Sequence, residues 1–239
     1  MTNSTVRTTP TPPLDGADPA PTTSSSPVLV KGAVQQPETG EPHAARRELT
    51  ASSPGRDIAL VSTFAALVAV CALLPAITVG NGLVPITLQT FAVLLTGAVL
   101  GWRRAGLAIL LYLAVGTAGV PIFSNGRSGP GVFAGPSTGY LVAFPLAAML
   151  AGVLVSRIRA SVTRVRRTGL TFLGCFAASL VTIHPLGILG LMWRADLSFT
   201  EAVVTDAVFL PGDIVKCLAV AVVATAVVRA FPALSAPKR

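Results

Sequence analysis

Among the charged residues of this 239-residue chain, Asp213 and Lys216 stand apart, because both fall within an otherwise apolar run, FLPGDIVK at 209–216. A spacing of three places them on one helical face. An ionised carboxylate only accepts hydrogen bonds and an ammonium only donates them, so the pair can recognise a ligand that offers N–H groups beside a carbonyl. Placing such a charge inside a bilayer costs about 2.5–3.5 kcal/mol on insertion scales, so these residues usually face a partner, a cavity or a substrate. A structural role is equally open on spacing alone: Pro211 can mark the first helical turn, with Asp213 answering the helix dipole and Lys216 reaching for the interface.

Other polar groups cluster in two stretches, TVGNGLVPITLQT at 78–90 and VPIFSNGRSGPGVFAGPSTGY at 120–140. The first offers Asn81, Thr87, Gln89 and Thr90, of which the last three read as groups that bond neighbouring helices. The second holds Gly126, Gly129, Gly131, Gly135 and Gly139 with Pro121, Pro130 and Pro136. Those residues suit a folded loop whose backbone approaches a ligand, or a plain run of turns. It is no phosphate-binding loop, since no Gly-Lys-Ser/Thr ending follows. Tyr112 reads as a packed aromatic and Tyr140 as an interfacial one. His184, just before Pro185, reads as a neutral histidine bonded across a kink. Cys71, Cys175 and Cys217 lie in apolar runs at unrelated spacings and read as small buried hydrophobes. No nucleophile elbow, zinc-protease motif or pair of carboxylates on adjacent turns occurs, so neither an enzyme, a metal site nor a bound cofactor is expected. With no ATP-binding motif either, transport by this chain is passive, ion-coupled or driven by a partner.

The elements that position these residues are expected to be transmembrane helices. Hydrophobic side chains make up 52% of the chain and charged ones 12%, against about 25% charged in soluble domains. The apolar residues come in long runs, which predicts an all-α bundle of six spans in membrane lipid. The spans fall at Ile58–Thr78, Pro85–Leu100, Ala105–Phe123, Ser137–Val155, Leu170–Trp193 and Phe209–Val228. The second is short enough to be covered by neighbouring helices instead of lipid. Residues 1–57 form a different polymer, with 24 Pro, Thr and Ser among 57 residues, which predicts a disordered tail. It lacks the pattern of a cleaved signal peptide. The membrane domain spans 58–230, and a short basic tail covers 231–239. Thirteen Lys and Arg near the membrane fall on the side of the termini and two, Arg127 and Arg194, on the other. That imbalance predicts a multi-pass protein of the plasma membrane with both termini cytoplasmic. The formal charge of +8 is thereby explained by topology, and with no aromatics interleaved among the arginines nucleic acid is excluded as a partner.

Four ordered segments, VPITLQTFAVLLTGAVLG, LYLAVGTAGVPIFSNG, GPSTGYLVAFPLAAMLAG and FLPGDIVK, resemble the BioY family, the biotin-specific substrate-binding subunits of energy-coupling-factor transporters. The resemblance covers about Ile58 to Val228. It implies a six-helix bundle that binds biotin on its extracellular side and works with a transmembrane coupling subunit and two ATPase subunits, although some similar proteins act without them. It further implies that Asp213 and Lys216 carry the family's acidic and basic pair, and that Gly135, Pro136, Gly139 and Tyr140 carry its glycine-proline-tyrosine signature, with Ser137 where many relatives have threonine. Asn81 and Gln89 are candidates to complete the substrate contacts. Small residues four apart in the first span would dock the coupling subunit, a pattern met by Ala65 with Ala69 and equally by Ser62 with Ala66. Uptake of another small vitamin, or a membrane enzyme or assembly factor, is the alternative.

Overall fold

The computed structural model describes residues 54–77, 83–159 and 161–231. The tail expected before residue 54, the basic C-terminus after 231 and the candidate Asn81 all lie outside them. Among the described residues the chain is helical: α1 (Pro54–Leu73), α2 (Gln89–Leu100), α3 (Trp102–Thr117), α4 (Thr138–Ser156), α5 (Arg164–Arg194), α6 (Phe199–Ala207) and α7 (Leu210–Ala230). The first helix thus begins at Pro54, a few residues before the boundary expected at 57.

Four of these, α1, α4, α5 and α7, are long and apolar enough to cross a membrane. The other two expected spans are shorter, with 12 residues in α2 and 16 in α3. At about 1.5 Å per residue, α2 covers only some 18 Å of a hydrocarbon core about 30 Å thick. Its start is set by what precedes it. Pro85 leaves the ladder of a helix without a donor, and Ile86 instead exchanges both backbone hydrogen bonds with Ile77, at 2.9 and 3.0 Å. Helix therefore begins only at Gln89. A short helix is tolerated here because protein surrounds it: Ala92 through Leu100 are all buried. α3 follows after a single residue, Gly101, whose φ of 75° is open to glycine at little cost.

α4 is the centre of the bundle, packed against α2, α3 and α5, while α2 also packs on α7 and α1 on α3. Close approach is made by missing side chains. A Cβ at Gly97 would strike the Ala148 carbonyl of α4, and one at Gly152 would lie 2.6 Å from the Trp102 backbone nitrogen. At the end of the bundle where α2 finishes, Arg104 of α3 pairs with Asp57 of α1 at 2.6 Å.

α5 is continuous over 31 residues but widens into a π-helical turn at Ser179–Ile183. Pro185 follows, without the N–H that an α-helix would use, and the widened turn accommodates it, as such turns often do near functional residues. The expected kink at His184–Pro185 therefore takes the form of an extra residue in one turn. The connection after α5 holds the short helix α6, which was not expected from hydropathy. Its start is a capping box: the Glu201 backbone N–H donates to the Ser198 hydroxyl while Glu201 Oε2 accepts from the Ser198 backbone N–H at 2.9 Å. The Ser198 hydroxyl and then its backbone N–H hold the Glu201 carboxyl below the usual carboxylate range.

Candidate ligand-binding site

At the end of the bundle away from Arg104, the first turns of α2, α4 and α7 meet the middle of α5 around a cavity of about 610 Å³, counted to its open mouth. The folded segment between α3 and α4 forms one wall. Tyr112, 1% exposed, fixes that segment by donating from its hydroxyl to the Ile122 carbonyl at 3.2 Å. Phe123 packs edge-on against the Tyr112 ring and fills the space left by Gly116, where a Cβ would lie 2.8 Å from ring carbons.

Asp213 and Lys216 both line the cavity, and the pair is closed by Thr90 of α2. Lys216 Nζ lies 3.0 Å from Asp213 Oδ1 and donates to the Thr90 hydroxyl at 3.0 Å, while that hydroxyl donates to Asp213 Oδ1 at 3.3 Å. Asp213 is 3% exposed, so burial of its charge is compensated by this fixed set of partners. The structural alternative, Lys216 reaching outward to an interface, is not what the geometry has: its side chain turns back to α2 and is 11% exposed.

Behind Asp213 runs a second polar chain that sequence reading did not assemble. His184 Nδ1 is 2.7 Å from Asp206 Oδ2, and the Tyr140 hydroxyl donates to Asp206 Oδ1 at 2.8 Å. His184 Nε2 faces Asp213 Oδ2 at 3.4 Å. Asp206, at the centre of this chain, is 4% exposed. Its partners lie 22 and 66 residues away in sequence, beyond the reach of any spacing argument. The available signal was the capping box of α6, which starts a helix about two turns before it.

The remaining candidates separate into lining and support. Gln89 lines the cavity, but its amide nitrogen donates to the Tyr112 hydroxyl at 2.8 Å and its carbonyl accepts from Thr87 at 3.1 Å, so it braces α2 against α3. Tyr140 and Ser137 line the cavity; Gly135, Pro136 and Gly139 do not. Gly139 lies where α4 crosses α5: a Cβ there would collide with the Leu186 carbonyl, and one at Gly190 would lie 2.7 Å from Gly139 Cα. Gly187 likewise leaves room for the Tyr140 ring. On α1, Ala65 is buried at 7% and Ala69 is packed against the core, whereas Ser62 and Ala66 are exposed. Arg127, which sequence reading used only for topology, stands at the cavity wall with its Nε 3.4 Å from the Ser124 carbonyl.

An apolar helical bundle with the buried Asp213–Lys216 pair lining a cavity is the architecture of a membrane protein with an internal binding site, and comparison with known proteins gives the family. The chain belongs to the BioY family, whose sequence model matches residues 44–233. It is 36% identical over 182 residues to a protein of Rhizobium etli named biotin transporter BioY, covering 76% of this chain and 97% of that one. A protein of the same name from Rhodobacter capsulatus is 37% identical over 187 residues, covering 74% of this chain and 95% of that one. Among solved structures, the S-component for biotin from an ECF-type ABC transporter matches with a TM-score of 0.65 at 22% identity, over 73% of this chain and 91% of the other. That likeness shares the fold.

Proposed function

We propose that this chain is a biotin-capturing membrane subunit for vitamin uptake, with its substrate held between Asp213 and Lys216. The carrying observation is the Asp213–Lys216–Thr90 set at 3.0–3.3 Å, with Asp213, Lys216 and Thr90 all lining one cavity. Biotin presents two ureido N–H donors, one carbonyl, an apolar fused ring and a carboxylate tail. The Asp213 carboxylate accepts from a ureido N–H, and Lys216 Nζ donates to the ureido carbonyl. Ile86, Leu141, Phe144 and Phe209 supply apolar surface for the ring. Arg127, on the same cavity, suits the carboxylate. A ligand lacking the ureido group leaves two buried charges without new partners, which is the basis of discrimination. The names of the Rhizobium and Rhodobacter relatives support biotin over another small vitamin.

Energy for uptake then comes from an ECF-type transmembrane coupling subunit with two ATPase subunits, since this chain has no nucleotide-binding motif of its own. Capture takes place on the extracellular side, at the end of the bundle opposite the arginine-rich connections. Calorimetry on the purified chain, with mass spectrometry of ligand carried through purification, tests the reading. Saturable binding of biotin at one site is expected; monodisperse protein that binds no biotin, or a different vitamin instead, overturns it.

A further inference from the structure

Of the residues lining the cavity, Ser124 and His184 each keep a buried side-chain atom without a hydrogen bond, and His184 Nε2 is the one beside Asp213, in a side chain that is 5% exposed. The rest of the ring is fixed. Its Nδ1 is held by Asp206 Oδ2 at 2.7 Å, and Asp206 is held in turn by the Tyr140 hydroxyl at 2.8 Å. A ring tied through one nitrogen has its other nitrogen aimed by that bond. Here it is aimed at Asp213 Oδ2, 3.4 Å away, while Oδ1 of the same carboxylate takes Lys216 and Thr90. The charged and titratable groups facing His184 and its partners are thus Tyr140 from α4, Asp206 from α6, and Asp213 and Lys216 from α7.

We infer that His184, oriented by Asp206, is a positioning residue for Asp213, and that the 3.4 Å gap between Nε2 and Oδ2 closes into a hydrogen bond when substrate engages the carboxylate. Bonds of a functional set are often long without ligand and tighten in the complex. Two consequences follow from the placement. The carboxylate is held from both sides, by Lys216 and Thr90 at one oxygen and by the imidazole at the other, so its plane is fixed toward the cavity. The short helix α6 is joined to the substrate site through Asp206, although it contributes no side chain to the cavity lining.

The inference rests on the biotin reading above, and the experiment separates their failures. An asparagine amide can occupy the place of Nδ1, and a glutamine amide the place of Nε2. His184→Asn therefore keeps a partner for Asp206 and loses Asp213, whereas His184→Gln keeps the approach to Asp213. If His184 positions Asp213, biotin binds at least tenfold more weakly to His184→Asn than to wild type, and His184→Gln recovers a large part of the loss. If the histidine only ties α5 to α6, His184→Asn binds as wild type, and the inference is overturned. Wild-type protein that fails to bind biotin removes both readings. A second measurement needs no variant of the site. The chain has two histidines, His43 and His184, so nitrogen NMR of ring-labelled His43→Gln protein reports His184 alone. Saturation with biotin is expected to shift Nε2 more than Nδ1; an unmoved Nε2 sinks the inference even if the variants fail to fold.

Discussion

Removing the charge from Asp213 while keeping its shape, as Asp213→Asn does, leaves Lys216 Nζ, now 3.0 Å from a carboxylate oxygen, facing a neutral amide and the Thr90 hydroxyl. Hydrogen bonds to charged groups contribute about 1.5–3 kcal/mol against about 0.5–1.5 for neutral ones, so biotin affinity should fall roughly ten- to a hundredfold. Lys216→Met keeps much of the stem and strands Asp213 instead, with a loss of the same order. Calorimetry on both variants, beside their helix content and monodispersity, is the check, and wild-type affinity in both would remove the pair from the site. This pair was legible in the sequence because three residues of helix bring the two charges together. Thr90 is brought to the pair by packing of α2 on α7 across more than 120 positions, and no periodicity encodes that. His184 was legible as a histidine bonded across a kink, but the partner that holds it was not. The acid, Asp206, sits on another helix.

At the scale of the element, Gly139 of the signature segment permits the close approach of α4 and α5. Gly139→Ala places a methyl against the Leu186 carbonyl and Gly190, and overpacking of this kind typically costs about 1–3 kcal/mol. The expected outcome is a lowered unfolding temperature together with weaker biotin binding, because Tyr140, the next residue, holds Asp206. A variant that melts as wild type would show that α4 and α5 can part without cost. α1 yields a paired comparison. Ala65 is buried within the bundle and Ala66 is exposed beside Ser62, so Ala65→Leu should lower thermal stability while Ala66→Leu leaves it unchanged. If the exposed small residues are the coupling face, Ala66→Leu instead reduces co-purification with a transmembrane coupling subunit and spares biotin binding. Normal recovery of the complex would move the docking face elsewhere. Hydropathy anticipated α1, α4, α5 and α7 well, since each is long enough to be read from its apolar run. It extended α2 and α3 too far, because Pro85 and the turn after Thr117 interrupt helix without interrupting hydrophobicity.

For the whole molecule the question is which end of the bundle meets the outside. α2 runs from Gln89 at the cavity to Leu100, and Trp102, Arg103 and Arg104 begin α3 immediately beyond, so the cavity and this basic corner lie at opposite ends of one short helix. Arg157 and Arg159 follow α4 and Arg164, Arg166 and Arg167 open α5, at the end of α4 away from Tyr140. Positive charge thus collects at the end far from the cavity, and lysine and arginine in short connections remain cytoplasmic. On that rule the cavity is expected to open outward, as the proposed capture requires. Cys71, Cys175 and Cys217 are buried and unpaired, so a cysteine-free background should be obtainable by small apolar replacement. In that background, Ser128→Cys places a thiol in the exposed segment beside the cavity mouth, and Ser161→Cys places one in the exposed arginine-rich connection. An impermeant maleimide added to intact cells should label Ser128→Cys and leave Ser161→Cys untouched until the membrane is opened. Labelling in the reverse order would turn the bundle over, put the substrate cavity on the cytoplasmic side, and replace capture from outside with release or export.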